Sequence, residues 1–362
     1  MNVAVIGTGL IGTSIALALR EHGSTVWLTD ADPAAAQLAV DLGAGEPLPA
    51  EIRDPADVAV IAVPPAEVAA SLAAAQARNL AHAYTDVASV KQLPVAQVRE
   101  LGLDLASYVP GHPLAGREKH GPAAARADLF LGRTWALCPL PETADQALQA
   151  VTAMVRTCGA VPVRTDPAAH DRWVALISHA PHLVAAAMAA RLEDAPGEAL
   201  DLAGQGLRDV TRIAAGDTVL WTQILSANAA PVAEVLAAVA ADLAEAAREL
   251  AEDDTSDKAV AGLLDRGQAG VARIPGKHAT FLGEQGAARE FAVVQVVIPD
   301  QPGELARLFH ATGAAGVNIE DVRIEHSPGL PAGVAELSVR PAAAEPLAAA
   351  LTAGGWPVAS PA

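Results

Sequence analysis

Three glycines near the start of the chain have the spacing of a phosphate-binding loop. Gly7, Gly9 and Gly12 follow a short apolar run and lead into a segment with helical apolar periodicity. The first glycine permits a tight turn, the second lets the backbone approach a pyrophosphate, and the third lets the helix lie against the strand. The pattern predicts a dinucleotide site. Four neighbouring positions are assigned to the same site: Leu10, Ile11, Val63 and Pro64.

A carboxylate follows the second apolar run, where it can accept hydrogen bonds from the ribose of an adenosine. Asp30 comes directly after residues 25–29, and Asp32 follows it with no arginine nearby. Two carboxylates would repel a 2′-phosphate. We therefore expect the cofactor to be NAD rather than NADP.

A histidine in a proline-flanked loop is the candidate for proton transfer. His112 lies between Pro110 and Pro113, in the sequence G-H-P-L-A-G at 111–116. An imidazole that titrates near neutral pH can accept a hydroxyl proton during hydride transfer, although a loop-bracing role would also explain it. Ser89 follows a predicted strand and could hydrogen-bond a catalytic group or the nicotinamide, or cap the next helix.

Histidines and arginines in the second half of the chain could contact a substrate. His179 and His182 are three residues apart and share a helix face, which is compatible with substrate contact or core packing. No third ligand stands at a suitable spacing, so no metal is expected. Arg208 and Arg212 are four apart, and a guanidinium is the natural partner of a carboxylate. A surface ladder with Asp209 is an equally good interpretation.

Composition limits the classes of partner. The chain has 362 residues, of which 52% are hydrophobic and 18% charged, as expected for a globular protein of two or three domains. A net charge of −18 argues against nucleic acid and anionic membranes as partners. No uninterrupted apolar stretch reaches the ~18 residues of a membrane span, and the first strand leaves no room for a signal peptide. With only two cysteines, both expected to be reduced, we expect a cytoplasmic location.

The order of predicted elements places these residues in an α/β protein. Residues 1–165 alternate strands and helices, which predicts a Rossmann-type, doubly wound sheet completed by strands at 134–138 and 161–164. Residues 166–270 lack strand signals and form an all-helical second domain. The predicted helices of that domain span residues 168–192, 199–214, 218–228 and 231–252.

The end of the chain has its own pattern. Residues 271–289 are rich in glycine and charge and indicate a linker. Residues 290–362 then follow the order βαββαβ, with strands at 291–298, 317–326, 332–340 and 356–358, which is typical of a ferredoxin-like module.

Taken together, these segments resemble the prephenate/arogenate dehydrogenase family of tyrosine biosynthesis. The resemblance rests on V-I-G-T-G-L-I-G at 5–12, D-V-A-S-V-K at 86–91, G-H-P-L-A-G at 111–116, S-H-A-P-H-L-V-A at 178–185 and L-R-D-V-T-R-I-A at 207–214. It implies an NAD-dependent oxidative decarboxylation, of prephenate to 4-hydroxyphenylpyruvate or of arogenate to tyrosine.

The resemblance also implies individual roles. His112 would accept the hydrogen bond of the ring 4-hydroxyl, and Ser89 would orient His112 and touch the nicotinamide. Arg212 would anchor a substrate carboxylate, with His179 or His182 as a second contact.

Two further features follow from the resemblance. Trp221 would reach the site of a neighbouring subunit, which makes the helical domain the interface of a homodimer. Arg117 departs from the family, which often has a small polar residue there, and its role is open.

The C-terminal segment resembles an ACT domain, a module that binds amino acids. Its signature runs from Asp300 through Gly303 to Leu305, and the segment from Gly316 that contains Asn318 and Ile319 begins the next strand. The resemblance implies feedback control by tyrosine, although the module could serve only to assemble subunits.

Other activities compete with this interpretation. A cationic pocket favours prephenate, which lacks the ammonium group of arogenate, whereas Asp209 or Asp217 in the site would favour arogenate. A β-hydroxyacid or imine-type dehydrogenase would commonly place a catalytic lysine or aspartate in the helical half. A non-catalytic sensor of NAD and amino acids is disfavoured by the presence of His112 and Ser89.

Overall fold

The computed structural model describes residues 1–51, 53–115, 121–251, 258–274, 291–326 and 332–358. The chain folds into two compact units, Met1–Ala244 and Glu245–Ala362. The first unit therefore contains the predicted nucleotide-binding sheet together with most of the helical segment.

A parallel six-stranded sheet forms the centre of the first unit, in the order β3-β2-β1-β4-β5-β6. Its strands are β1 Asn2–Ile6, β2 Thr25–Thr29, β3 Glu46–Pro47, β4 Ala56–Ile61, β5 Ala81–Asp86 and β6 Tyr108–Val109. Alternate residues of β1 face opposite sides, so Val3 and Val5 pack into one hydrophobic core and Ala4 into another. The five helices of this part are α1 Leu10–Glu21, α2 Pro33–Asp41, α3 Val68–Ala77, α4 Gln92–Glu100 and α5 Asp145–Thr157. The predicted Rossmann-type sheet is confirmed.

The predicted placement of the last strands in that sheet is wrong. Strands β7 Gly111–Pro113, β8 Thr134–Leu137 and β9 Val161–Arg164 form a separate sheet, in which β8 lies antiparallel to β7 and parallel to β9. Pro110 has no N–H to continue the ladder after β6, and its carbonyl oxygen accepts instead from the amide of Cys138, 2.8 Å away. This break places His112 on the second sheet, opposite Ala136.

Helices make up the rest of the first unit, as predicted. One continuous stretch comprises α6 Pro167–Val174, a π-helical turn Ala175–His179, α7 Ala180–Ala189 and a 3-10 turn Ala190–Leu192. It is followed by α8 Gly197–Asp201, α9 Gln205–Thr211, a 3-10 turn Arg212–Ala215, α10 Thr218–Ala227 and α11 Ala229–Ala251. The single helix predicted at 199–214 is wrong, because α8 and α9 are separate helices on either side of residues 202–204.

Among the described residues, Pro167–Leu192 has the length and composition of a membrane-crossing helix, with a mean hydropathy of 1.4 over its most apolar window. Core helices of soluble proteins can have the same composition. Polar side chains interrupt this stretch, and four of them are buried within the unit: His170, Asp171, His179 and His182.

The second unit contains a three-stranded antiparallel sheet in the order β10-β12-β11. Its elements are α12 Lys258–Ala272, β10 Ala292–Pro299, α13 Glu304–Ala314, β11 Asp321–His326, β12 Ala332–Val339 and α14 Pro341–Ala353. Leu308 of α13 and Leu347 of α14 pack with the buried face of the sheet. A single antiparallel bridge joins Val358 to Val296.

The second unit departs from the sequence predictions at three places. The strand expected from residue 317 begins only at Asp321, and the last predicted strand is reduced to the bridge at Val358. Helix α12 is not among the predicted helices and runs two residues into the expected linker, most of which lies outside the described residues.

Candidate active site

The glycine loop joins β1 to α1 with contacts that leave no room for side chains at two positions. Gly7 has a φ of +97°, and a Cβ atom there would lie 2.2 Å from the carbonyl oxygen of Ala62. At Gly12 a Cβ would lie 1.9 Å from the carbonyl oxygen of Gly7. At Gly9, by contrast, a Cβ would meet no described atom within 4 Å, so the protein leaves open space where a pyrophosphate would approach.

The groups around this loop fit an adenine dinucleotide. Helix α1 begins without a side-chain cap at Gly9, which leaves its N-terminal dipole available to phosphate. Asp30 accepts hydrogen bonds from the amide and hydroxyl of Thr8, at 2.5 and 3.0 Å, and from the amide of Asp32. A carboxylate has about four acceptor positions, so Asp30 retains capacity for a ribose hydroxyl.

The other predicted cofactor residues lie beside the same loop. Val63 and Pro64 follow β4, and the Cγ1 atom of Val63 would be 3.3 Å from a Cβ at Gly7. Leu10 and Ile11 form the first turn of α1 and are partly buried against the core. These positions therefore surround the glycine loop, as the sequence pattern suggested.

The glycine loop and His112 lie at one edge of the parallel sheet. Ile6, Ile61 and Asp86 are in register at the carboxyl ends of β1, β4 and β5. Gly111, next to His112, is so close to β5 that its Cβ would lie 2.9 Å from the carbonyl oxygen of Asp86. Ligands of open α/β sheets bind outside the carboxyl ends of the strands, which is where this edge opens.

The imidazole of His112 is held by a neighbouring histidine. Its Nδ1 atom lies 2.9 Å from Nε2 of His170, and the two rings meet edge to face with their centroids 5.1 Å apart. Nδ1 of His170 in turn lies 2.8 Å from Oδ1 of Asp171. His170 and Asp171 belong to none of the motifs that predict the site. A polar His-Asp pair in an otherwise apolar helical stretch is the signal that could have identified them.

The surroundings keep His112 neutral. Burial lowers its pKa well below 6.5, and the nearby His170, Lys91 and His179 lower it further. Burial raises the pKa of Asp171, but hydrogen bonds from His170 and from the amides of Gln92 and Lys91 outweigh burial and lower it overall. His112 is therefore available as a proton acceptor, and the carboxylate of Asp171, which contacts the far side of His170, stays ionised.

A buried ion pair lies behind the loop that carries His112. Lys91, which has no exposed side-chain surface, donates hydrogen bonds to the carboxylate of Asp86 and to the carbonyl oxygen of Gly111. Tyr108 donates its hydroxyl to Asp86 at 2.7 Å, and burial followed by the Asp86 charge raises the tyrosine pKa well above 10. The amide of Gly111 donates to Asp86 at 3.4 Å, so both backbone groups of this residue are fixed.

The two predicted helical histidines lie in different environments. His179 ends the π-helical turn, a feature often found at functional sites, and its Nδ1 accepts from the amide of Asn228 at 3.1 Å. The same amide group donates to the carbonyl oxygen of Asp171 at 2.8 Å, so Asn228 links α6 to the corner between α10 and α11. Burial lowers the pKa of His179 to about 4. Sequence reasoning missed Asn228.

Trp221 packs against its own chain. Its ring stacks on His182 with centroids 3.6 Å apart and lies edge-on to His179. A Cβ atom at Gly216 would lie 2.4 Å from Nε1 of Trp221, so a larger residue there would displace the indole. The resemblance placed this tryptophan at a neighbouring subunit's site, whereas in the structure it contacts His182 and His179.

The remaining predicted site residues are brought near the site to different extents. Ser89 is half-buried between β5 and α4, and within the described part of the chain its hydroxyl makes no hydrogen bond to His112, whose partner is His170 instead. Arg208 is exposed on α9, and Arg212 begins the following 3-10 turn rather than continuing the helix. Both segments pack against α7, the helix that carries His182.

The predicted regulatory residues belong to the second unit. Gly303 adopts a left-handed conformation, with a φ of 93°, directly before α13, and Asp300 is exposed nearby. Asn318 donates to Glu320 at 3.2 Å, and Ile319 packs partly buried against the core of this unit. Arg117 lies outside the described residues.

Across the described ranges, no group of three or more His, Cys, Asp or Glu side chains is arranged to hold a metal ion. The residues around His112 can instead supply one neutral base, a rigid support for it, and an adjacent site for a dinucleotide.

Comparisons with known proteins show the family of the chain. Residues 15–164 match the family described as the nucleotide-binding domain of prephenate dehydrogenase, and residues 166–263 match its dimerization domain. A Streptomyces niveus protein, named the probable prephenate dehydrogenase NovF, is 41% identical over 99% of both chains.

Solved structures also resemble this chain. Prephenate dehydrogenase from A. aeolicus, in complex with hydroxyphenyl propionate and NAD+, is 26% identical with a TM-score of 0.66, over 76% of this chain and 98% of the other. Arogenate dehydrogenase from Synechocystis is 25% identical with a TM-score of 0.61, over 75% of this chain and 99% of the other.

Proposed function

The chain belongs to the prephenate dehydrogenase family of NAD-dependent oxidoreductases, and we propose that it converts prephenate to 4-hydroxyphenylpyruvate for L-tyrosine biosynthesis. The observation that carries the proposal is His112: a neutral imidazole, supported at Nδ1 by His170, at the sheet edge that carries the glycine loop.

The chemistry requires one base and little else. When bound, NAD accepts the hydride that leaves C4 of the substrate ring. Nε2 of His112 takes the proton of the 4-hydroxyl, which leaves a carbonyl at C4. The bond to the ring carboxylate then breaks, and its electron pair makes the ring aromatic as CO2 departs. His112 returns the proton to the phenol oxygen, and aromatisation makes the step irreversible.

Cationic groups are needed because the substrate is an anion and the chain carries a net charge of −18. Arg212 is proposed as the anchor for a substrate carboxylate, with Arg208 one helical turn before it. Their segments pack against α7, which supports a site shared with His182. His179 is the less accessible of the two histidines, since its side chain already bonds Asn228.

Ser89 is proposed to contact the nicotinamide. It follows β5 at the carboxyl edge of the sheet, shortly before α4 begins, and it is half-buried there. Among the described residues its hydroxyl does not bond His112, so its proposed role is toward the cofactor rather than the base.

A homodimer is proposed from the helices of the first unit. Several large apolar side chains of the stretch Pro167–Leu192 are exposed in the single chain: Trp173, Leu176, Ile177 and Met188. Exposed large apolar side chains grouped on one helical stretch favour an interaction site. The description of the matching family segment as a dimerization domain supports a second copy as the partner.

The second unit is proposed to be an ACT-type module that binds tyrosine as a feedback effector. Its strand order, β10-β12-β11 with Val358 beside β10, supports the βαββαβ arrangement. Titration with L-tyrosine should show binding and a fall in rate. Absence of both would leave subunit assembly as the role of the module.

Arogenate is the second candidate substrate, supported by the likeness to Synechocystis arogenate dehydrogenase. The cationic Arg208 and Arg212 argue against it, because they would repel the ammonium group of arogenate. Of the two acids nearby, Asp217 caps α10 through the amide of Leu220, and Asp209 accepts a hydrogen bond from Gln205. Formation of NADH from NAD with each substrate, measured as kcat/KM, decides between them. We expect prephenate to exceed arogenate at least tenfold. The reverse order would assign arogenate, and silence with both would overturn the proposed function.

A further inference from the structure

Three buried side chains form a hydrogen-bonded row that ends at the proposed base. Asp171 has no exposed surface and His170 is 2% exposed, although both carry polar groups in the first helix after the nucleotide-binding sheet. Oδ1 of Asp171 lies 2.8 Å from Nδ1 of His170, and Nε2 of His170 lies 2.9 Å from Nδ1 of His112. Buried polar groups are retained where they are fully paired, and this row pairs both nitrogens of His170.

We propose that His170 and Asp171 are positioning residues that select the tautomer of His112, so that its Nε2 atom is the unprotonated base facing the substrate. The inference deepens the proposed function and rests on His112 being its base.

The carboxylate of Asp171, at one end of the row, fixes the direction of each hydrogen bond. An ionised carboxylate is only an acceptor, so Nδ1 of His170 must donate to Asp171. In a neutral imidazole the other nitrogen is then an acceptor, so Nε2 of His170 accepts a hydrogen bond from the Nδ1–H of His112. The remaining nitrogen of a neutral His112 is Nε2, which has no hydrogen-bond partner among the described residues.

The row also compensates the charge that forms during the reaction. Lys91, His170 and His179 face His112 and disfavour a positive charge on it. When Nε2 of His112 takes a proton, its Nδ1–H still donates to His170, which is itself polarised by the Asp171 carboxylate. The resting base is therefore neutral, and its protonated form is stabilised from behind.

The first test is direct observation of the tautomer. Protein labelled with ¹⁵N-histidine is studied by long-range ¹H–¹⁵N NMR without substrate, and the His112 signals are assigned by their loss in His112→Asn. We expect a protonated Nδ1 and an unprotonated Nε2. An Nε2–H tautomer would overturn the proposal, whatever the enzyme's activity.

The second test separates positioning from folding. Asp171 also accepts from the amides of Lys91 and Gln92, so its replacement would disturb α4, and His170 is the better site. His170→Leu removes the acceptor for His112, whereas the amide oxygen of His170→Gln can still accept from Nδ1–H. We expect kcat to fall about 100-fold in the leucine variant, with NAD affinity within about twofold, because a catalytic imidazole in the wrong tautomer can lose about 10⁴ in rate.

The kcat of the glutamine variant should be at least tenfold higher than that of the leucine variant. The acidic limb of its pH–rate profile should differ from that of the wild type. Equal kcat in the leucine variant and the wild type would overturn the proposal, as would equal loss in both variants. If the wild type forms no NADH from prephenate or arogenate, the proposed function fails, and the NMR measurement alone then decides the role of His170.

Discussion

The ammonium group of Lys91 donates a hydrogen bond to the carbonyl oxygen of Gly111, 2.5 Å away, from a position with no exposed side-chain surface. The same group pairs with Asp86, which also receives the hydroxyl of Tyr108. Gly111, which precedes the proposed base His112, is thus held in place by the buried ion pair of Lys91 and Asp86. Removing one member of a buried ion pair leaves an uncompensated charge, so a substitution of Lys91 tests how much this pair stabilises the protein.

Lys91→Met should destabilise the protein by about 3–5 kcal/mol, since it leaves the buried carboxylate of Asp86 without its partner. The free energy of unfolding from urea titration measures this change. The double variant Lys91→Met with Asp86→Asn is the matched control, because it removes both charges together. It should recover part of the stability, and additive losses in the double variant would show that the two groups do not interact.

Gly9→Ala should weaken NAD binding without loss of stability. A Cβ at Gly9 meets no described atom within 4 Å, but it occupies the space needed by a pyrophosphate. We expect the Kd for NAD to rise at least tenfold by calorimetry while Tm changes little. Gly12→Ala is the contrast, because its Cβ would lie 1.9 Å from the carbonyl oxygen of Gly7 and should lower Tm. Unchanged NAD affinity in Gly9→Ala would contradict this account of the loop.

His179 should make stability depend on pH. Burial lowers its folded pKa to about 4, so between pH 6.5 and 4 the unfolded state binds the proton and the folded state does not. The contribution of His179 is therefore lost as pH falls, by about 1.5 kcal/mol from pH 6.5 to 5. In His179→Gln the fall in unfolding free energy over this range should be smaller by that amount. A fall in the unfolding free energy of His179→Gln equal to that of the wild type would contradict this assignment.

Arg212→Ala should raise KM for prephenate by roughly ten- to hundredfold with a smaller change in kcat, because a hydrogen bond to a charged group contributes about 1.5–3 kcal/mol to ground state and transition state alike. The exposed Arg156, on α5, provides the control variant Arg156→Ala with the same change in net charge. A KM equal to that of the control would remove Arg212 from the substrate site.

Much of the fold is predictable from the sequence because its signals are local. The glycine spacing, the apolar runs and Asp30 lie within the first 30 residues and predict the start of the nucleotide-binding sheet. The separate sheet of β7, β8 and β9 cannot be predicted in the same way, because β7 is three residues long and pairs with a strand more than twenty residues away.

The candidate site shows the same division. His112 is identifiable because the prolines and glycines around it mark a constrained loop. The residues that support it are harder to assign, because His170 and Asn228 are 58 and 49 residues from their partners, His112 and His179. The polar pair of His170 and Asp171 is visible in the sequence, but no local pattern says which residue it contacts. The family resemblance implies that Ser89 orients the base, whereas in the structure Nδ1 of His112 contacts His170.

The identity of the base is the central claim, and the kcat of His112→Asn with saturating NAD and prephenate tests it most directly. A positioned general base contributes about 10²–10⁴ in rate, so we expect kcat to fall by at least 100-fold while NAD affinity and Tm remain close to wild type. A kcat within a few-fold of the wild type would contradict the account, because another group would then have to take the hydroxyl proton.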